Sequence, residues 1–195
     1  MRVRGALLLG FCLWPGLAPA QTAVRSDGPE VVGNVTLSNL WDDESRLGAG
    51  IAVGGGAGYR WRGLGVEGRV EWFASNRTFS SGVTFHAEGT RLLGQVAYHF
   101  SAGDVQPYAA GTIGLLKIRQ RNEFPLVQPG PTGLPVLIGT EVFESEHTNT
   151  LWGGGGGVRI GITERFAIRP EATVLFGLPD YFFDIRAGVA AIVGW

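Results

Sequence analysis

The sequence predicts an all-β fold, namely an eight-stranded antiparallel up-and-down transmembrane β-barrel preceded by a cleaved signal peptide. Three observations predict it. Gly accounts for 32 of the 195 residues while only 17% are charged, and Gly is a poor helix residue. An export signal opens the chain. The residues after it alternate with period two, and strands alone place successive side chains on opposite faces.

The signal comes first. Arg2 and Arg4 form a basic start, Ala6 to Leu13 a short apolar run, and Ala18-Pro19-Ala20 a small-residue cleavage site, so residues 1–20 read as signal peptide and 21–195 as one domain. The apolar run is too short for a membrane-spanning helix. Cys12 is the only cysteine and departs with the signal. Phe11 stands where a lipidation motif needs a small residue, so no lipid anchor is expected. The domain then has no thiol for a disulfide, although export places it in an oxidising compartment.

The strands follow in order. Val31 to Leu40 reads as the first. Leu47 to Arg62 is the clearest, with Leu47, Ala49, Ile51, Val53, Ala57, Tyr59 and Trp61 on one face and Gly48, Gly50, Gly54, Gly56, Gly58, Arg60 and Arg62 on the other. From Leu64, the set Leu64, Val66, Val70 and Trp72 opposes Glu67, Arg69, Glu71 and Phe73. Thr90 to Phe100 and Val105 to Ile118 alternate less cleanly. Trp152 to Ile162 sets Val158, Ile160 and Ile162 against Gly153, Gly155, Gly157 and Arg159. Ile168, Pro170, Val174 and Phe176 oppose Arg169, Glu171 and Thr173, and the last strand sets Phe183, Ile185, Val189, Val193 and Trp195 against Asp184, Arg186 and Gly188.

Short links at Arg62-Gly63, Ser101 to Asp104 and Thr163 to Arg165 alternate with longer ones at Trp41 to Arg46, Ala74 to Thr84, Arg119 to Thr150 and Gly177 to Tyr181. Short turns at one end and long ones at the other mark an outer-membrane barrel. Each strand reaches the roughly 9–11 residues a tilted strand needs to cross hydrocarbon. Residues 119–150 hold four prolines, apolar residues and the acids Glu141, Glu144 and Glu146. They read either as a binding loop, as a mobile loop, or as a hairpin extending the barrel.

Polarity decides which face meets lipid. A water-facing strand face would be rich in Lys, Glu, Ser and Thr. Here the polar face is Gly with isolated Arg and Glu, and Lys117 is the only lysine. Gly on a solvated face weakens a strand without adding solubility, whereas in a narrow lumen it leaves room for long side chains. The inward charges are therefore Arg60, Arg62, Glu67, Arg69, Glu71, Arg91, Arg159, Arg169, Glu171, Asp184 and Arg186, expected to form an ion-pair network that plugs the lumen, since an eight-stranded barrel is just wide enough for side chains to fill. Aromatic residues are expected in two interface girdles. Tyr59, Trp61, Tyr98, Phe100, Tyr108, Phe166 and Trp195 fall at the short-turn end, and Trp41, Trp72, Trp152, Phe176 and Phe183 at the other. In lipid an open sheet edge costs several kcal/mol per unpaired group, so the eight strands must close.

Gly56-Ala57-Gly58-Tyr59-Arg60, Gln106-Pro107-Tyr108 with Gly111 and Gly114, Arg169-Pro170-Glu171 and the ending Ala191-Ile192-Val193-Gly194-Trp195 resemble small bacterial outer-membrane β-barrel domains of the OmpA/OmpX type. The resemblance covers nearly all of the domain. It implies a place in the bacterial outer membrane, with extracellular loops, periplasmic termini, and outer-membrane lipid and lipopolysaccharide as surroundings. It also implies that the barrel-insertion machinery reads the last strand through Val189, Ala191, Val193 and Trp195. The family more often ends in Phe. The chain stops at Trp195, so anchoring through an appended peptidoglycan-binding domain is not implied.

Little here points to chemistry. His99-Phe100-Ser101 has the spacing of the histidine and serine of outer-membrane lipid A deacylases, but the reading puts Ser101 in a short periplasmic turn and His99 in the lumen, away from an outer-leaflet lipid. A nucleophilic serine needs a positioned base, so no catalytic residue is expected. His86, His99 and His147 are far apart in sequence with no cysteine beside them, so no metal or other cofactor is expected. The glycine runs Gly54-Gly55-Gly56 and Gly153 to Gly157 do not match a phosphate-binding loop. A formal charge of −1 gives no footprint for nucleic acid. Three functions stay open: a plugged structural or adhesive barrel, a small ion or solute channel, and a soluble periplasmic barrel with a hydrophobic ligand.

Overall fold

The computed structural model describes residues 27–42, 46–79, 81–101, 103–129 and 135–195. The expected signal peptide lies outside them. Eight strands run in chain order: β1 (Gly28–Asp42), β2 (Arg46–Trp61), β3 (Leu64–Thr78), β4 (Thr84–His99), β5 (Val105–Pro129), β6 (Pro135–Gly161), β7 (Phe166–Leu178) and β8 (Phe182–Gly194). Each pairs antiparallel with its sequence neighbours, and β8 closes on β1 from Glu30↔Gly194 to Asp42↔Phe182. Closure pairs both edges of every strand within the barrel wall, which is what hydrocarbon demands.

The register gives the barrel its stagger. From Val32 the paired residues are Gly56, Arg69, Leu93, Gly114, Leu151, Gly177 and Phe182, and the circuit returns to β1 at Asp42, ten residues beyond its start. Such a displacement tilts the strands and sets the lumen width for eight of them.

The apolar faces point outward. Val35, Val53, Val70, Ile113 and Val189 are 56%, 44%, 53%, 65% and 53% exposed. This is the inverse of a soluble barrel and rules out that reading, since nothing but lipid satisfies a continuous apolar exterior. The inward glycines make room as expected. Gly54, Gly56 and Gly58 of β2 lie in register with Glu71, Arg69 and Glu67 of β3. A Cβ at Gly58 would come within 3.2 Å of the Glu67 Cβ, and one at Gly54 within 2.7 Å of the Glu71 Cγ.

Within residues 119–150, one of the open alternatives is found: residues 119–129 and 135–150 extend β5 and β6 past the rest of the wall, paired from Arg119↔Glu146 to Pro129↔Pro135. Beyond Thr84↔Glu123 strand β5 has left β4 behind, and β6 meets β7 only from Thr150↔Leu178. The prolines near the tip fit this, because they fall where a ladder bond is dispensable.

Candidate functional site: the filled lumen

Strand alternation turns every second residue inward, and those residues stack in layers along the barrel axis. At the short-turn mouth, Glu30 on β1 lies 2.8 Å from Arg159 and 3.5 Å from Arg60. The Arg60 Nη1 donates to Gln106 Oε1 at 2.7 Å, and Gln106 Nε2 donates to the Gly103 carbonyl.

The middle layer is a four-membered ion cluster. Arg69 contacts both Glu67 and Glu171. Arg169 donates to Glu67 through Nη1 at 2.8 Å and Nη2 at 3.1 Å, and its Nε lies 3.1 Å from Glu171. Gln95 Oε1 accepts from Arg69, and the Tyr108 hydroxyl donates to Glu171 at 2.9 Å.

Above it, Glu71 is paired with Arg186 and lies 3.9 Å from Arg91, while Asn34 Nδ2 donates to it at 2.9 Å. Arg91 meets Asp184 at 2.8 Å, and Ser38 joins the two by accepting from Arg91 and donating to Asp184 at 2.7 Å. The Arg91 guanidinium also lies 4.3 Å from the Phe73 ring centroid.

Desolvating charges costs several kcal/mol each, and is recovered only when good geometry and further hydrogen bonds satisfy the remaining atoms. Asn34, Ser38, Gln95, Gln106 and Tyr108 supply several of those bonds, while Arg91 Nε and Arg159 Nε among others make none. The planar five-donor fork of Arg suits the cations here: Arg60, Arg69, Arg91 and Arg169 each reach two or more acceptors, while Arg159 meets Glu30 alone.

The outermost layer is different in kind. Leu40, Phe73, Leu116, Ile118, Leu151, Leu175 and Phe182 pack together inside the barrel at the long-turn end. A smaller apolar group, Val32, Ala167, Ala190 and Ile192, lies on the β1, β7 and β8 wall. The lumen thus carries polar layers over much of its length and a buried apolar cluster at the long-turn end.

Of the residues expected in the lumen, Arg60, Glu67, Arg69, Glu71, Arg91, Arg159, Arg169, Glu171, Asp184 and Arg186 come together in these layers. Arg62 does not. It sits in the β2–β3 turn at φ 49, beside Gly63 at φ 83, with its guanidinium over the Trp61 ring. The two positive φ values are those of the tight hairpin turn that matches strand twist, and the turn ends the alternation before Arg62.

Among the expected interface aromatics, Tyr59, Trp61, Tyr98, Phe100 and Trp195 are exposed at the short-turn end, and Phe166 is 37% exposed. Tyr108 is the exception: at 4% exposure it belongs to the lumen, its ring 5.2 Å from His99. Its parity with Gln106, Thr112 and Leu116 on β5 puts it there. The far-end aromatics depart from a ring as well. Trp41, Phe183, Phe176 and Trp152 are in mutual register across β1, β8, β7 and β6, so they form one patch, with Trp72 apart on β3.

Glu30, Asn34, Ser38, Gln95 and Gln106 were missed by the sequence reading. The signal that finds them is parity alone: Val32, Asn34, Thr36, Ser38 and Leu40 alternate on β1 and are all buried. His99 Nδ1 faces the Gly63 carbonyl at 3.2 Å, while Ser101 Oγ accepts the Gly103 amide. Both line a cavity of about 270 Å³ at the short-turn mouth with Asp27 and Arg60. Among the described residues no cluster of three metal-ligating side chains occurs.

The closed wall, lipid-facing exterior and filled polar lumen define a small transmembrane β-barrel protein. The comparisons agree. A family model described as outer membrane protein beta-barrel domain matches residues 5–181, and the chain belongs to that family; it is an integral protein of the bacterial outer membrane. No curated protein matches the sequence. Among solved structures, Neisserial surface protein A is 15% identical with a TM-score of 0.60, covering 86% of this chain and 97% of that one. Ail, the attachment invasion locus protein of Yersinia pestis, is 12% identical with a TM-score of 0.53, covering 85% and 99%. A second Ail structure, bound to the heparin analogue sucrose octasulfate, gives 13% and 0.51, covering 86% and 99%. At these identities the likeness is one of fold.

Proposed function

We propose that this barrel is a closed, non-enzymatic surface protein, with its long-turn end outside the cell and both termini in the periplasm. The observation that supports it is the stack of buried ion pairs with an apolar cluster beyond it. Three layers of paired charges end beneath an apolar layer, and an ion would have to break buried pairs and then cross hydrocarbon. Charge rings conduct only where binding is weak enough to let the ion leave, and bidentate arginine–carboxylate contacts are the opposite case. This supports the plugged reading over the channel. Reconstitution in planar bilayers tests it: no unitary current is expected at any voltage the bilayer survives, and a steady single-channel current that changes in Glu171→Gln overturns it.

The surface role rests on the β5–β6 hairpin. Val127, Val136, Leu137, Ile138 and Phe143 are exposed on it, at 54%, 49%, 64%, 61% and 52%. Apolar patches held above a membrane mark interaction sites, and the hairpin is anchored to its neighbours by the edge-to-face series Phe79–Phe85–Phe124–Phe143. Lipopolysaccharide surrounds the wall in this reading, and β8 with the terminal Trp195 that follows it is the segment the insertion machinery takes.

A further inference from the structure

The four-residue aromatic row on the outer wall is more than a girdle. Trp152 and Phe176 stack with centroids 4.9 Å apart and planes 27° apart, and Phe176 lies 5.3 Å from Phe183. With Trp41, Leu178 and Tyr181 they line a cavity of about 430 Å³, whose inner side is made by Gly177 and by Phe182 of the apolar layer. That is within the range of small-ligand pockets, roughly 300–1,000 Å³, and its apolar aromatic lining is of the same kind. The concavity arises because β6 continues upward where β7 turns back at Leu178, leaving a step in the wall.

Depth and continuity identify what fills it. Phe166 and Phe176 stand ten residues apart on β7, about the length of one tilted span, so the row lies where acyl chains begin beneath the headgroups. Directly below, β8 presents Ile185, Val189 and Val193, all exposed on the lipid-facing wall. The cavity therefore opens onto the established lipid interface. We infer that it is a specific site for one acyl chain of a membrane lipid, seated between the Trp152–Phe176 stack and Trp41 with its headgroup beside Tyr181. That this lipid belongs to the outer leaflet rests on the orientation proposed above; binding itself does not.

Fluorescence quenching by dibromostearoyl phosphatidylcholine in detergent micelles tests the site. Two single-tryptophan proteins are compared, one keeping Trp152 and one keeping Trp72, with the other tryptophans changed to Phe. Trp152 should be quenched saturably, with roughly tenfold enrichment over the bulk lipid fraction, about 1.4 kcal/mol. Trp72 should follow the bulk fraction. Equal quenching of both overturns the proposal. Native mass spectrometry of the unaltered protein gives a second reading that needs no fluorescence variant. One persistent adduct of the same lipid, lost in Leu178→Trp, supports the site. A ladder of adducts unchanged in Leu178→Trp, or a lipid-free dimer in which a second copy covers the row, refutes it. A failure here leaves the bilayer-current result, and so the closed-barrel reading, untouched.

Discussion

Arg91 and Asp184 meet at 2.8 Å inside the barrel with neither side chain exposed at all. They come from β4 and β8, on opposite sides of the wall, so this pair ties the lumen together across its width. Phe73 covers Arg91 on one side and Ser38 bridges the pair on the other.

Asp184→Asn should be severe. It leaves Arg91 and, at 4.0 Å, Arg186 without that carboxylate. Breaking a buried pair costs about 3–5 kcal/mol. The check is the urea midpoint, followed by the compact, unboiled band in detergent gels. Arg91→Met combined with Asp184→Leu should recover most of the loss, because paired removal leaves no uncompensated charge.

The apolar layer makes a separate prediction. Phe73 is fully buried among Leu40, Leu93 and Leu116. Phe73→Ala should cost about 3–5 kcal/mol through the transfer and cavity contributions together. A loss below about 1 kcal/mol in the same unfolding assay would mean that the layer is not tightly packed.

Two glycines should respond oppositely to a methyl group. At Gly188, a Cβ would fall 2.6 Å from the Thr36 Oγ1 and 2.6 Å from the Val35 carbonyl, whereas at Gly33 nothing lies within 4 Å. Gly188→Ala should therefore lose about 1–3 kcal/mol by overpacking. Gly33→Ala should be neutral or gain about 0.5–1 kcal/mol from reduced backbone freedom in the unfolded chain. Equilibrium unfolding of both variants distinguishes them.

An exposed ion pair at the base of the projecting hairpin carries a pH dependence. Lys117 lies 2.8 Å from Glu146 across β5 and β6, and its hydrogen bond and charge hold the Glu146 carboxyl below its ordinary value of 4.5. A depressed folded value means that the pair's contribution is present above the unfolded value. It is lost as pH falls through the folded one. Both groups are exposed, so the effect is local and small. Protection of the amides of residues 117 and 146, measured against the intrinsic exchange rate at each pH, should fall as the pH drops below about 4.5. It should lose that dependence in Lys117→Gln, and salt should weaken it.

How much was legible follows from what alternation can carry. On β2, β3, β7 and β8 charged residues fall on one face and large apolar residues mostly on the other, so strand, face and most inward charges were readable; Arg69, Glu71, Arg169 and Arg186 lie inside as their parity required. On β5, Ala and Gly occupy both faces, the contrast fades, and Tyr108 was assigned to the wrong one. Arg62 was misplaced because parity does not say where a strand stops. The hairpin at 119–150 carried strand and loop signals together, and only pairing with its partner strand made 25 residues of β5 continuous.

The sequence by itself determined eight two-sided strands with the apolar face turned to lipid, because period two is a local property and Gly between charges reads only as lumen. The tertiary structure decided what depends on the stagger of closure: which Arg meets which carboxylate, that Phe73, Leu116 and Leu175 share one layer, and that Trp41, Phe183, Phe176 and Trp152 stand in a single row. Such relations join residues up to 146 positions apart, as Ser38 and Asp184 are. Register sets them, and register is a property of the closed barrel rather than of any one strand.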